Sequence, residues 1–95
     1  MEVWVLIPDV EFLEDDDWSV SEYQGIVHVL ADTEVRARLI ASAAFVRFVE
    51  IEEGDFPPCN PWTQPRLVEA DILQEHDYDL DCPPGVVGYE DDDSY

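Results

Sequence analysis

The chain has 95 residues, 46% of them hydrophobic and 12% aromatic, which is enough apolar material for one folded domain and too much for a disordered acidic tail. It carries 24 acidic residues against four arginines and no lysine, so its formal net charge is −20. That charge repels nucleic acid and anionic membranes and attracts cationic surfaces. We therefore expect no direct binding to nucleic acid or membrane, and we expect a basic protein as the partner.

The N-terminal residues do not have the pattern of a targeting segment. Their apolar run, residues 3–7, is shorter than a signal sequence requires and follows an acidic residue, Glu2. No apolar run approaches the roughly 20 residues of a membrane-spanning helix. We expect a cytoplasmic protein in which Cys59 and Cys82 remain reduced, because cytosolic thiols are kept reduced.

The pattern of apolar residues predicts a small sheet. Residues 1–7 place apolar side chains on both faces, as in a strand that is buried on both sides, and Pro8 ends the run. Residues 66–75 fit a short helix or a strand, and we favour the strand because apolar residues alternate with acids there. The other predicted strands are residues 26–30, residues 46–52 and a short edge strand at residues 86–87.

A single helix is predicted between residues 26–30 and residues 46–52. Asp32 and Thr33 offer a cap for its start. Its apolar residues recur at four-residue spacing and are expected to face the core: Val35, Leu39 and Ala43. Two acid–arginine pairs at four-residue spacing, in the favoured order, support the helix: Asp32–Arg36 and Glu34–Arg38.

These elements predict an α+β fold in which a small antiparallel or mixed sheet of about four strands packs on one main helix. Residues 1–89 are expected to form a single compact acidic domain, and residues 90–95 an acidic C-terminal tail. The proline-rich residues 56–65 predict a stiff surface loop pinned by Trp62, although aromatic grooves also bind such segments. His28 lies within an apolar strand pattern and is expected to be a hydrogen-bonded structural residue.

The acidic residues cluster, and the clusters are the candidate partner-binding residues. One cluster, Asp77, Asp79 and Asp81, alternates with other residues; in an extended strand its carboxylates would lie about 6.5 to 7 Å apart, similar to neighbouring phosphates of a nucleic-acid strand. Aromatic anchors of the kind that dominate protein interfaces would be Trp18, Trp62 and Tyr78. The other candidates are Asp15, Asp16, Asp17, Glu50, Glu52, Glu53, Glu69, Asp71 and Glu75.

The carboxylates do not predict a metal centre or an active site. Residues 77–81 begin like a calcium-binding loop, but Cys82 and Gly88 occupy the positions of the essential glycine and glutamate. The two cysteines and two histidines lack zinc-finger spacing. The sequence has no phosphate-binding glycine loop and no nucleophile motif, so we expect a non-enzymatic protein without a cofactor or a bound metal.

A compact chain of this length with a strand–helix–strand core, clustered acids and almost no basic residues resembles the DNA-mimic inhibitors of phages and other mobile elements, which include anti-CRISPR and anti-restriction proteins. The resemblance is in chain length, in the small and simple fold, and in charge. It implies a protein that acts in the bacterial host cell, occupies the basic DNA-binding channel of a nucleoprotein complex, with a CRISPR surveillance complex favoured, and blocks target DNA. Repulsion between two highly negative chains makes a monomer the expected state.

Two other functions fit the same charge. An immunity protein or antitoxin that neutralises a basic nuclease toxin would have similar electrostatics, and gene neighbourhood would separate it from an inhibitor of defence. An acidic metal-buffering domain would be stabilised by millimolar calcium beyond the effect of ionic strength alone. We favour the inhibitor.

Overall fold

The computed structural model of the protein describes residues 1–46 and 60–90, without the Asp16 side chain. These residues form four strands, one α-helix and three short 3-10 helices. The strands are β1 (Glu2–Pro8), β2 (Ile26–Ala31), β3 (Val68–Ile72) and β4 (Gly85–Glu90), and the helix is α1 (Glu34–Phe45). The 3-10 helices are Val10–Phe12, Asp16–Val20 and Pro61–Thr63.

The four strands form one antiparallel sheet in the order β3-β1-β2-β4. The sheet and its helix confirm the predicted α+β fold, and β3 confirms the strand that we favoured for residues 66–75. In the register of the sheet, Val5 lies opposite both His28 and Asp71, and His28 lies opposite Gly88. Directly opposite residues of antiparallel strands project to the same side, so these four share one face of the sheet.

The helix begins where predicted, but its buried face is a different one. The Thr33 hydroxyl caps the helix by accepting the Arg36 N–H at 3.1 Å. The prediction that Val35, Leu39 and Ala43 face the core is wrong, since all three are exposed, Val35 by 66% and Leu39 by 52%. The residues that α1 buries are Ala37, Arg38, Ala41 and Phe45. Two of these are small, which leaves room for the large aromatic rings between helix and sheet.

Trp62 is the largest side chain that the fold buries completely. Its ring meets Trp18 edge-on, with centroids 5.4 Å apart, and it also packs against Phe45 and Tyr23 at 5.4 and 6.4 Å. The indole Nε1–H donates to the Ser21 hydroxyl at 2.9 Å. The described part of the proline-rich loop is therefore pinned by Trp62, as predicted.

Residues 73–84, which we call the strap, cover the second face of the sheet. Val3 and Leu30 project to this face and are fully buried, although the helix lies on the other side. The strap begins with a backbone hydrogen bond to the Val3 carbonyl at 2.8 Å, and Tyr78 then contacts His28 of β2. The prediction of a first strand that is buried on both sides is confirmed.

Some predicted elements lie outside the described residues. They are the strand at residues 46–52 beyond Val46, residues 56–59 of the proline-rich loop, and the tail at residues 91–95. Val46 itself is exposed and forms an isolated antiparallel bridge with Ser21. Glu90, which the sequence assigned to the tail, is the last residue of β4.

Arg38 is a buried cation on the helix, with an exposed fraction of 6%. Its Nη1–H donates to the Trp62 carbonyl at 3.3 Å, and its Nε lies 3.5 Å from a Glu34 carboxylate oxygen. Arg38 therefore joins the helix to the turn that carries the largest core residue. By contrast, Arg36 forms an ion pair with Asp32, at 4.0 Å, in which both side chains are exposed to solvent.

We expect Arg38→Met to lower the free energy of unfolding by about 1–3 kcal/mol, because the Trp62 carbonyl would stay buried without its donor. Urea denaturation measures this loss. The matched control is Arg36→Met, which removes the same charge from the same helix and should cost at most about 1 kcal/mol. Equal losses in the two variants would show that Arg38 does not hold the Trp62 turn.

Candidate protein-interaction surface

Every arginine in the described part of the chain is paired with a carboxylate of the same protein. The pairs are Arg36–Asp32 at 4.0 Å, Arg38–Glu34 at 3.5 Å, and Arg66 with Asp15 at 3.3 Å and with Asp17 at 3.4 Å. The two helix pairs confirm the prediction from four-residue spacing. Residues 1–46 and 60–90 contain 17 acidic residues and these three arginines. The described surface therefore has a large excess of negative charge.

Six of the predicted binding residues lie together on β3 and the strap. Glu69 and Asp71 of β3 lie opposite Ile7 and Val5 of β1, so they project to the same face of the sheet as His28. The strap that crosses this face carries the other four. All six side chains are exposed. We call them the acidic face: Glu69, Asp71, Glu75, Asp77, Asp79 and Asp81.

The regular carboxylate ladder predicted at residues 77–81 is wrong in its geometry. This segment is not a strand, and the chain turns after Asp79, at Leu80 and Asp81. The Asp79 carboxylate accepts the Asp81 N–H at 2.9 Å, and the Asp79 carbonyl accepts the Cys82 N–H at 3.5 Å. The even spacing of an extended chain therefore does not apply, although all three aspartates remain exposed. Aspartate readily forms such local bonds, which compete with strand pairing.

Tyr78 fixes the strap to the sheet and does not stand free as an anchor. Its hydroxyl lies 3.0 Å from His28 Nδ1, and the two rings meet edge-on at 5.7 Å. His28 Nε2 lies 3.1 Å from a Glu90 carboxylate oxygen. Because a carboxylate only accepts, Nε2 carries the hydrogen, and in the neutral ring Nδ1 accepts from the Tyr78 hydroxyl. His28 is thus the hydrogen-bonded structural residue that the sequence predicted.

The acidic loop after β1, residues 9–17, is held by internal contacts. The Asp15 carboxylate accepts the Asp17 N–H at 3.0 Å, and both carboxylates contact Arg66. The Asp17 N–H, and to a smaller extent Arg66, hold the pKa of the Asp15 carboxyl below its usual value, although desolvation acts in the opposite direction. Two residues predicted to contact a partner are therefore already engaged within the chain.

Trp18 and Trp62 are core residues, so the prediction that they are exposed anchors is wrong. Trp18 is 2% exposed and Trp62 is fully buried. Trp18 follows a run of acids, which indicated a solvent-exposed position, but the 3-10 helix Asp16–Val20 turns its ring onto Trp62. Sequence periodicity does not reveal such a turn, because a five-residue 3-10 helix is shorter than the windows in which periodicity is detectable.

The acidic loop and the strap lie at opposite ends of β1. The loop follows Pro8, whereas the strap starts beside Val3. At about 3.3 Å per residue, these two points are about 17 Å apart. Because Tyr78 contacts His28, which lies opposite Val5, the strap then runs back toward the middle of the sheet.

Glu50, Glu52 and Glu53 lie outside the described residues, as does the Asp16 side chain. Within residues 1–46 and 60–90, no three His, Cys, Asp or Glu side chains are arranged to hold a metal ion. Cys82 is an exposed free thiol. No helix in the described ranges has the length and apolar character needed to cross a membrane.

Comparison of the chain with protein-family models, with curated proteins and with solved structures found no match.

Gly88 of β4 lies directly beneath the strap. A Cβ atom at this position would collide with the Tyr78 hydroxyl, whereas a Cβ at Gly85 in the same strand would meet no atom within 4 Å. The close approach of Tyr78 to His28 therefore requires a residue without a side chain at position 88.

We expect Gly88→Ala to displace Tyr78 and to lower the free energy of unfolding by about 1–3 kcal/mol, the usual cost of overpacking. Gly85→Ala is the matched control and should be neutral or slightly stabilising. Urea denaturation gives both values, and a protease specific for acidic residues should cleave the strap faster in Gly88→Ala alone. Identical behaviour of the two variants would show that Tyr78 does not hold the strap.

Proposed function

We propose that this protein is a non-enzymatic inhibitor that binds the basic DNA-binding surface of a bacterial defence nucleoprotein complex and blocks its access to target DNA. A CRISPR surveillance complex is the favoured target, and the inhibitor acts as a monomer in the cytoplasm of the host cell. The observation that carries the proposal is the acidic face: six exposed carboxylates on one side of the sheet, in a chain whose described arginines are all paired internally.

The physical basis is competition for the same cations. Proteins that bind duplex DNA present arrays of lysine and arginine, and much of their affinity comes from the counterions that phosphates release. Carboxylates at fixed positions can form ion pairs with the same lysine and arginine side chains. A net charge of −20 also accelerates the encounter with a basic surface, and added salt screens this attraction.

Each exposed ion pair contributes only about 0.2–1 kcal/mol to binding. The carboxylates therefore add more to the affinity when they are already held in place. A mobile acidic chain would lose much of that gain in ordering its side chains and backbone on binding. Here the strap is attached through Tyr78 and His28, and the acidic loop through Arg66. Among the strap residues, Leu80 is 43% exposed between two aspartates and offers an apolar contact within the charged surface.

We expect the triple variant Asp77→Asn, Asp79→Asn, Asp81→Asn to bind the target roughly 3- to 150-fold more weakly, the loss of three exposed ion pairs. Asparagine retains the Oδ1 acceptor that the Asp81 N–H uses, so the turn at Asp79 should persist. The measurement is the concentration of inhibitor that displaces labelled duplex DNA from a purified CRISPR surveillance complex.

The control removes the same amount of charge elsewhere. The control variant changes three exposed acids outside the acidic face: Glu11→Gln, Glu22→Gln and Asp32→Asn. If this control weakens binding as much as the strap variant does, net charge acts without a defined contact surface. If neither variant changes displacement, or if the protein displaces no DNA, the proposed function is wrong.

A further inference from the structure

Several side chains in this protein accept the backbone N–H that lies two residues further along the chain. Asp9, Asp15, Asn60 and Asp79 do so through Oδ1, at 2.9–3.0 Å. His76 occupies the same local arrangement, and its ring Nδ1 accepts the Tyr78 N–H at 3.2 Å. An imidazole nitrogen differs from a carboxylate or amide oxygen, because it gains a proton close to neutral pH.

This hydrogen bond requires one protonation state of His76. A backbone N–H only donates, so His76 Nδ1 must have a free lone pair and the ring must be neutral. Protonation would place a ring N–H against the Tyr78 N–H, two donors without an acceptor. The strap would then lose the bond that fixes its backbone at Tyr78.

His28 responds differently to the same proton. Its Nδ1 accepts from the Tyr78 hydroxyl when neutral, and after protonation it would donate to the same oxygen. Its Nε2–H continues to donate to the Glu90 carboxylate in either state. The side-chain contact of Tyr78 therefore survives protonation, whereas its backbone contact with His76 does not.

The clefts on the two sides of His76 contain the other charged and titratable groups that face it. They are His28, Glu75, Asp77, Tyr78 and Glu90 on one side, and Glu2 with the amino group of Met1 on the other. Apart from the α-amino group, only the histidines among these residue types ordinarily change charge between pH 5.5 and 7.5. A pH-dependent change of the strap that disappears when His76 is replaced therefore reports on His76.

We propose that His76 makes the backbone of the strap at Tyr78 dependent on pH: the neutral ring holds the Tyr78 N–H, and protonation of Nδ1 frees it, while the Tyr78 hydroxyl keeps its contact with His28. Tyr78 lies between Asp77 and Asp79 of the acidic face, so freeing its backbone would loosen the positions of these two carboxylates. That consequence for partner binding rests on the proposed function. The loosening itself is a property of the free protein.

Amide hydrogen exchange followed by NMR tests the proposal on the free protein. Protection factors at pH 7.5 and pH 5.5 remove the intrinsic effect of pH on exchange. We expect the Tyr78 amide to lose about tenfold in protection at pH 5.5, the loss of one hydrogen bond. The Trp62 amide, which donates to Asn60 Oδ1, is the internal reference and should not change.

The variant His76→Asn supplies an acceptor that does not titrate, as Asn60 does for Trp62. Its Tyr78 amide should be equally protected at both pH values. An unchanged protection factor for Tyr78 in the wild type, or the same loss in His76→Asn, would overturn the proposal.

An octa-arginine peptide serves as the probe for the effect on binding, at constant ionic strength. We expect acidification to weaken binding to the wild type more than to His76→Asn, because protonated His76 adds a positive charge beside the acidic face and also frees the backbone at Tyr78; hydrogen exchange alone tests the second effect. If Tyr78 loses protection but the two proteins lose affinity equally, the pH-dependent strap stands and the strap does not bind cations. That result counts against the proposed function alone.

Discussion

Repulsion among carboxylates is the constraint that this small fold has to overcome, because a net charge of −20 is carried by 95 residues. Two of the three described arginines hold pieces of the structure together: Arg66 holds the acidic loop, and Arg38 joins the helix to the Trp62 turn. Some carboxylates also serve as internal acceptors, as Asp15 and Asp79 do for backbone N–H groups. Burial of the aromatic cluster around Trp62 supplies the opposing free energy. The six carboxylates of the acidic face are left exposed.

The fold could largely be predicted from the sequence because strand signals depend on near neighbours. Alternation identified β1 and β3, and a β-branched run identified β2. The helix was also recognisable from its cap and ion pairs, but its buried face was not. Spacing favoured the larger apolar residues Val35 and Leu39, whereas the sheet selected alanines and the aliphatic stem of Arg38. Which face is buried depends on the volume of the aromatic rings that lie between the helix and the sheet. The spacing of residues within the helix does not reveal that volume.

The candidate site was predictable in composition and not in geometry. Exposure of the six carboxylates follows from their charge, so sequence alone found them. The role of Tyr78 depends on His28, fifty residues away in the chain, and on the missing side chain at Gly88. Such long-range pairs leave no periodic pattern. Likewise, Trp18 was expected at the surface because of its acidic neighbours, and only the turn onto Trp62 shows that it belongs to the core.

The most direct test of the proposed function is retention of a DNA-binding complex on the immobilised protein, with elution by rising salt and, separately, by excess duplex DNA. A DNA mimic predicts that a CRISPR surveillance complex or another defence complex is retained from bacterial lysate and is released by both treatments, because carboxylates and phosphates compete for the same cations. Retention that persists in high salt and in excess DNA would contradict this function. Capture of a small basic toxin instead would identify an immunity protein.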